Sequence, residues 1–201
     1  MTMTATNIKP QPITSFTSIP LTNIPAITSF TSTFISQNSY DDYDCDGASK
    51  CCFLLDEEED FVLKFPQEDE ENYCQIEADI YKKVPEELKK FFAKTFYLGK
   101  FTDREGEVCG VYYQERVPVI AESKLDCYAF GDDIYDWAKE IEIDCDGGFL
   151  LYLLSKGYSE EICQKLQNFI HLQGINDLHD GNWGLREDGT PVLFDFSGYD
   201  G

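Results

Sequence analysis

Short apolar runs separated by charged turns alternate along this chain with longer segments of helical periodicity. Residues 51–55 are apolar, residues 61–65 are apolar except for Lys64, and both flank the acidic stretch 56–60, which predicts a β-hairpin with a charged tip. A second pair of strands is predicted on either side of the polar turn at 103–106. Together the two hairpins predict a small antiparallel sheet.

Helical periodicity dominates the remaining segments. Apolar residues recur every three or four positions through 75–94, and Pro85 is expected to divide this stretch into two helices because proline lacks a backbone N–H. Further helices are predicted at 134–143 and 148–154, and another begins after Ser159, a preferred N-cap residue. The pattern therefore predicts an α+β protein.

Residues 1–39 form a region of different composition, almost uncharged and rich in Thr, Ser, Ile and Pro. The hexapeptide Ile-Thr-Ser-Phe-Thr-Ser occurs twice, at 13–18 and at 27–32. Four prolines are expected to prevent a helix and to interrupt strands, so we predict a low-complexity tail that buries nothing. The alternative is that its Ile and Phe residues anchor an extended peptide on a partner protein.

The chain is strongly acidic, with a formal net charge of -22. Between residues 40 and 72, 13 acids face only two bases, Lys50 and Lys64. Such a charge argues against binding nucleic acid or an anionic membrane, because both require clustered Lys and Arg. The acidic run is typical of solvated turns, and mimicry of a nucleic-acid phosphate array is a less favoured interpretation.

The cysteines and the apolar segments indicate where the protein resides. The eight cysteines contain no C-x-x-C pair and have no paired histidines nearby, which argues against zinc and redox sites. No signal peptide is recognisable, and no apolar run approaches the roughly 20 residues that span a bilayer. We therefore expect reduced thiols in a soluble, cytoplasmic protein, or in a virion if it is phage-encoded.

Two polar loops near the C-terminus bracket a short apolar strand and carry the strongest chemical signal. The first reads N-D-L-H-D-G-N-W-G over 176–184, and the second reads F-D-F-S-G over 194–198. Asp177 precedes Asn182 by five residues, and Asp195 follows Asn182 by thirteen. Acid and amide oxygens in this arrangement suit a metal ion held beside a reacting oxygen.

These loops resemble the catalytic and metal-binding loops of the protein-kinase fold. The D-x-H-x-x-N core is similar to that of aminoglycoside and choline phosphotransferases. The residue pattern of the two loops together resembles that of divergent, minimal kinase-like proteins of bacteria and bacteriophages. The resemblance implies phosphoryl transfer that depends on ATP and Mg²⁺. It implies that Asp177 orients or deprotonates the attacking hydroxyl, and that Asn182 and Asp195 bind the metal.

The same resemblance assigns a lysine and an acid to the nucleotide site. Lys64 would bind the α and β phosphates from its strand, although a lysine on a strand commonly faces water. Glu77, thirteen residues later, would hold that lysine, and Asp79 is a rival because the helix phase is not determined by sequence.

Further nucleotide contacts and the division into lobes also follow from the resemblance. Gly47 and Ser49 would lie in a small-residue loop over the phosphates, and Glu115 would begin the hinge beside the nucleotide. The implied fold is α+β and kinase-like. It consists of a small antiparallel-sheet lobe with one helix at 40–114 and a truncated helical lobe at 115–201.

Two functions remain open at this level. Retention of the predicted site residues favours a phosphotransferase whose acceptor is unknown. Ile175 stands where kinases usually have His, and we expect no activation segment after the proposed metal-binding Asp195. These departures favour a catalytically inactive pseudokinase, a binding or structural module that docks through residues 1–39.

Overall fold

The computed structural model describes residues 24–39, 50–53, 61–67, 72–119, 130–145 and 147–198. Gly47 and Ser49, predicted to lie over nucleotide phosphates, fall outside these residues, as do the acidic tip at 56–60 and the first hexapeptide at 13–18.

Four strands form an antiparallel sheet in the order β1-β2-β4-β3. They are β1 (Lys50–Phe53), β2 (Phe61–Pro66), β3 (Thr95–Thr102) and β4 (Val108–Glu115). Both predicted hairpins are confirmed, because β1 pairs with β2 and β3 pairs with β4. Successive side chains of each strand point to opposite faces of the sheet, so a different set of residues packs on each face.

Helix α2 (Tyr73–Lys83) covers one face of the sheet. Lys64 lies opposite Tyr112 in the strand register, and Tyr112 packs against Cys74 and Ala78 of α2. The Lys64 side chain therefore points towards α2 and is only 3% exposed. The alternative that Lys64 faces water is wrong, because side chains alternate between the two faces along β2 and that of Lys64 lies on the face covered by α2.

Helix α1 (Ile24–Ile35) covers the opposite face, where the sequence predicted a tail without helix. Ile27 and Ile35 of α1 pack against Leu63 and Tyr113. The prediction is wrong for these residues because Pro25 lies in the first turn of α1, where the missing proline N–H costs nothing. The sheet thus carries two helices rather than the one predicted.

The remaining elements pack together around the largest core cluster. They are a 3-10 helix (Glu86–Phe91), α3 (Asp132–Glu140), α4 (Phe149–Ser155), α5 (Glu160–Leu172), β5 (Trp183–Leu185) and β6 (Pro191–Leu193). The division at Pro85 is confirmed, since α2 ends before it and the 3-10 helix follows. Ser159 caps α5 by accepting a hydrogen bond from the Ile162 amide at 3.4 Å.

The coarse prediction of an α+β fold is confirmed. Cys51 is disulfide-bonded, so the expectation of reduced thiols is wrong at this residue. The free cysteines in the described part of the chain are Cys52, Cys74, Cys109, Cys145 and Cys163. None of the helices within the described ranges is both long enough and apolar enough to cross a membrane.

Candidate functional site

The β5–β6 hairpin brings the two C-terminal loops side by side. Trp183 pairs with Leu193 in the antiparallel register, which places the residue before β5 next to the residues after β6. The backbone amides of Phe194 and Asp195 both donate to the Asn182 carbonyl oxygen, at 3.1 and 3.2 Å. Asn182 and Asp195 are therefore neighbours despite their separation in sequence.

Two close approaches anchor this hairpin to the rest of the protein. Val119 forms an isolated bridge with Gly184, where a Cβ atom would lie 1.8 Å from the Pro118 carbonyl oxygen. Only glycine permits that approach. On the other side, the fully buried Trp183 indole donates to the Gly147 carbonyl oxygen at 3.1 Å. The hairpin consequently holds the two loops in a defined position.

Glu77, and not its rival Asp79, is the acid that pairs with Lys64. The Lys64 ammonium lies 3.0 Å from Glu77 Oε2, and the Glu77 side chain is completely buried. Asp79 is 46% exposed and pairs with Lys82 on the surface of the helix. The phase of α2 thus directs Glu77 towards the sheet and Asp79 towards solvent.

Lys50 joins this pair to Asp195. Its ammonium lies 2.9 Å from Glu77 Oε1, 2.5 Å from Asp195 Oδ1 and 2.9 Å from Ser197 Oγ. Lys64 reaches the same region, donating to the Phe194 carbonyl oxygen at 3.0 Å. We call Lys50, Lys64, Glu77 and Asp195 the lysine–carboxylate cluster, in which two positive charges meet two negative ones.

Glu77 is the centre of the cluster. Besides both lysines, it accepts hydrogen bonds from the Gln114 side chain at 3.4 Å and from the Phe196 amide at 3.3 Å. Phe196 is fully buried and its ring packs edge-on against Phe92 at 5.3 Å. One carboxylate therefore links the sheet, α2 and the segment after β6.

The pKa shifts of Lys64 and Asp195 keep both groups charged near neutral pH. Burial lowers the pKa of Lys64 and is the largest single influence, but the negative charge of Glu77 and smaller contributions from Cys52, Asp195 and Cys74 together outweigh it, so the net shift is upward. Burial raises the pKa of Asp195, but the positive charges of Lys64 and Lys50 outweigh it and the net shift is downward. Asp195 therefore contributes stability that is lost as the pH falls through its lowered pKa, and Lys64 contributes stability that is lost as the pH rises through its raised pKa.

The Asp177 carboxylate is separate from this cluster. Its side chain is 49% exposed and lies 3.6 Å from His179 Nε2, while the Asp177 carbonyl oxygen accepts from the Asn182 side chain at 2.9 Å. Within the described ranges, no hydrogen bond or ion pair links the Asp177 carboxylate to the lysine–carboxylate cluster. Asn182 links the backbone of Asp177 to the backbone of Phe194 and Asp195.

A cavity of about 420 Å³ opens beside Asp177. Its polar lining comes from the loop at 176–184, from α5 and from the segment after α3. The polar lining residues are Asp144, His171, Asn176, Asp177 and His179. Both histidines of the chain belong to this set. The cavity gives a small molecule access to the Asp177 carboxylate.

Glu115, predicted to contact the nucleotide from the hinge, binds Arg186 through both carboxylate oxygens. The distances are 2.6 Å from Arg186 Nε and 2.9 Å from its terminal nitrogen, and the Lys94 amide donates to the same carboxylate at 3.2 Å. Burial raises the pKa of Glu115, but the hydrogen bonds and charge of Arg186 outweigh it and the pKa is lowered. The Glu115 side chain therefore joins β4 to the β5–β6 hairpin, and its contact with a nucleotide stays a prediction.

Replacing Glu115 by glutamine is expected to lower the free energy of unfolding by about 1–3 kcal/mol at about pH 7, because Arg186 loses a charged partner. The difference from the native protein should be smaller at a second, acidic pH below the lowered pKa of Glu115, because the native carboxylate is protonated there as well. Urea unfolding at both pH values checks this. Glu140→Gln, on the exposed side of α3, is the control. An equal difference at both pH values would contradict the assignment.

The cluster can contribute to a Mg²⁺ site only together with other ligands. The described residues hold no group of three or more His, Cys, Asp or Glu able to bind a metal. Asp195 and the Asn182 side-chain oxygen are the available donors, and Mg²⁺ is commonly held by one or two carboxylates plus phosphate oxygens and waters. Carboxylate and amide oxygens are donors of the type that Mg²⁺ prefers, and Lys50 would have to withdraw from Asp195 before a metal ion could bind there.

Sequence reasoning missed the roles of Lys50 and Ser197. Lys50 entered only as one of two bases in an acidic segment, and Ser197 only as part of the second loop, without a role. A signal for Lys50 was present, since Lys50 and Lys64 are the only bases in the acidic segment 40–72. Both of these bases belong to the cluster.

The fold and site together define an α+β protein with a charge-balanced lysine–carboxylate cluster between a sheet and a β-hairpin. Comparisons of the chain with protein families, curated proteins and solved structures found no match. The functional assignment consequently rests on the geometry of the site.

Proposed function

We propose that this chain is a kinase-like phosphotransferase that binds ATP between the four-stranded sheet and the β5–β6 hairpin. The observation that carries the proposal is the buried 3.0 Å contact between Lys64 and Glu77, with Asp195 beside it. In kinase-like enzymes a strand lysine held by a helix glutamate contacts the nucleotide phosphates, and an acid after a later strand binds the metal.

Each residue has a role in this reaction. Glu77 holds Lys64, whose ammonium would contact the α and β phosphates. Asn182 and Asp195 would hold Mg²⁺, which neutralises phosphate charge. Asp177 would accept the proton of the acceptor hydroxyl while the acceptor oxygen bonds to the γ-phosphorus and the bond to the β-phosphate oxygen breaks, so that ADP leaves.

The cavity beside Asp177 supports an acceptor site on that side. An acceptor that enters it would meet an exposed carboxylate tethered through Asn182 to the residues after β6. This arrangement separates the proton-accepting group from the lysines that would contact the nucleotide.

A second candidate function is a catalytically inactive module with a kinase-like fold. The contact between Lys50 and Asp195 favours it, because a lysine ammonium then takes the place expected for a metal. Docking through the described part of residues 1–39 is not favoured, because Ile27 and Ile35 of α1 are buried against the protein's own sheet. Partner binding by that region would have to use its other residues.

We expect the native protein to bind ATP, and to bind it more tightly with Mg²⁺ than without. Lys64→Met should weaken ATP binding about tenfold or more, equivalent to about 1.4 kcal/mol, because the phosphates lose a positive partner. Asp195→Ala should remove the effect of Mg²⁺. Isothermal titration calorimetry with ATP and GTP, with and without Mg²⁺, measures all three expectations.

Lys139→Met is the matched control, since Lys139 is exposed on α3 and the charge change is the same. If neither ATP nor GTP binds the native protein, the proposal is wrong. If ATP binds but the native protein releases no ADP with Mg²⁺ and hydroxyl-bearing acceptors, the inactive binding module is the correct alternative.

A further inference from the structure

Lys50 occupies a position that no role in the proposed reaction explains. Its side chain is 4% exposed, and its ammonium has three oxygen partners: Asp195 Oδ1, Glu77 Oε1 and Ser197 Oγ. An ammonium group has three N–H donors, so these partners satisfy it completely. Two carboxylates and a hydroxyl thus form a cation site that is filled by the chain itself.

The charges show which acid Lys50 neutralises. Glu77 has two ammonium partners, Lys50 at 2.9 Å and Lys64 at 3.0 Å, so it keeps one if Lys50 moves. Asp195 has its ionic contact with Lys50, at 2.5 Å. The cluster as a whole is neutral. A divalent cation added at Asp195 would leave a positive excess beside two buried ammonium groups, which is unfavourable unless an anion arrives or Lys50 moves away.

Asp195 is also accessible to an incoming cation. Its side chain is 36% exposed, while those of Glu77 and both lysines are almost completely buried. Lysine has a flexible four-carbon stem, so its ammonium can change partners without movement of the strand that carries it. The contact between Lys50 and Asp195 is therefore the part of the cluster that can open.

We propose that Lys50 is a tethered cation that competes with divalent metal ions for the Asp195 carboxylate. Metal alone binds weakly because it must displace the ammonium. A metal–polyphosphate complex binds better because its phosphate oxygens accept the displaced ammonium. The polyphosphate part of this inference rests on the proposed function, whereas the competition at Asp195 does not.

Mn²⁺ without nucleotide is the probe for this competition, because its free form is counted directly by electron paramagnetic resonance. Lys50→Met keeps an unbranched side chain and removes the charge, so this variant should bind Mn²⁺ about tenfold more tightly than the native protein. Lys139→Met should bind like the native protein. Adding Asp195→Asn to Lys50→Met should abolish the gain.

A measurement on the native protein keeps the inference testable if Lys50→Met does not fold. Acetylation of lysine amines, read by mass spectrometry, should label Lys50 more strongly when Mn²⁺ is added, because the displaced ammonium loses its partner. Labelling of Lys139 should not change.

Equal Mn²⁺ affinity of the native protein and folded Lys50→Met would overturn the inference, as would the failure of Mn²⁺ to bind either of them. Labelling of Lys50 that does not rise with Mn²⁺ would overturn it too. Neither measurement needs ATP. A failure to bind nucleotide would therefore reject the proposed function while leaving the competition at Asp195 intact.

Discussion

Replacing Glu77 by glutamine is expected to lower the free energy of unfolding by about 3–5 kcal/mol, the cost of breaking a buried ion pair by removing one partner. Glu77 is completely buried and accepts from both Lys50 and Lys64. Without its charge, Lys64 is buried with no ionic partner in contact. Urea unfolding followed by circular dichroism measures the change.

Asp79→Asn is the matched control for Glu77→Gln. It makes the same chemical change two residues away on the same helix, at a surface pair with Lys82. Exposed pairs contribute little, so we expect a change within about 0.5 kcal/mol. Equal effects of the two substitutions would show that Glu77 does not organise the cluster.

Ile35→Ala is expected to destabilise the protein by about 2–5 kcal/mol, the usual cost of truncating a buried isoleucine. Ile35 is 2% exposed and packs with Ile27, Phe61 and Leu63 in the cluster between α1 and the sheet. The substitution leaves a cavity over the sheet. Urea unfolding followed by circular dichroism measures the loss of stability. The midpoint of thermal unfolding should also be lower than that of the native protein.

Ser32→Ala is the control for Ile35→Ala, because Ser32 lies on the same helix with its side chain exposed. Alanine favours helix more than serine does, so this variant should be as stable as the native protein or slightly more so. If Ile35→Ala is no more destabilising than Ser32→Ala, α1 is not part of the folded core. The tail predicted from composition would then be the better description.

The strands and most helices could be predicted from sequence because local interactions specify them. Alternation of apolar residues around acidic or polar turns defined both hairpins. Pro85 ended α2 for a purely covalent reason, and Ser159 capped α5 through its own hydroxyl. These features depend on residues within a few positions of each other, so no tertiary information was needed.

Helix α1 could not be predicted in the same way. Its buried residues Ile27, Thr31 and Ile35 recur every four positions, but Ser and Thr residues between them weaken the helical signal. A short helix of this composition is marginal by itself. The apolar face of the sheet, formed by residues such as Leu63 and Val111, stabilises it.

The resemblance of its C-terminal loops to those of the kinase fold implied that Lys64, Glu77, Asn182 and Asp195 belong to one site, with Asp177 as its proposed base. The sequence by itself also determined the α+β class, since strand and helix periods are local properties. Only the tertiary structure decided the phase of α2 that selects Glu77 over Asp79, and the separation of the Asp177 carboxylate from the cluster. It alone decided that Lys50 contacts Asp195, 145 residues away. A long side chain finds its ionic partner only after the sheet, α2 and the β5–β6 hairpin have assembled around it.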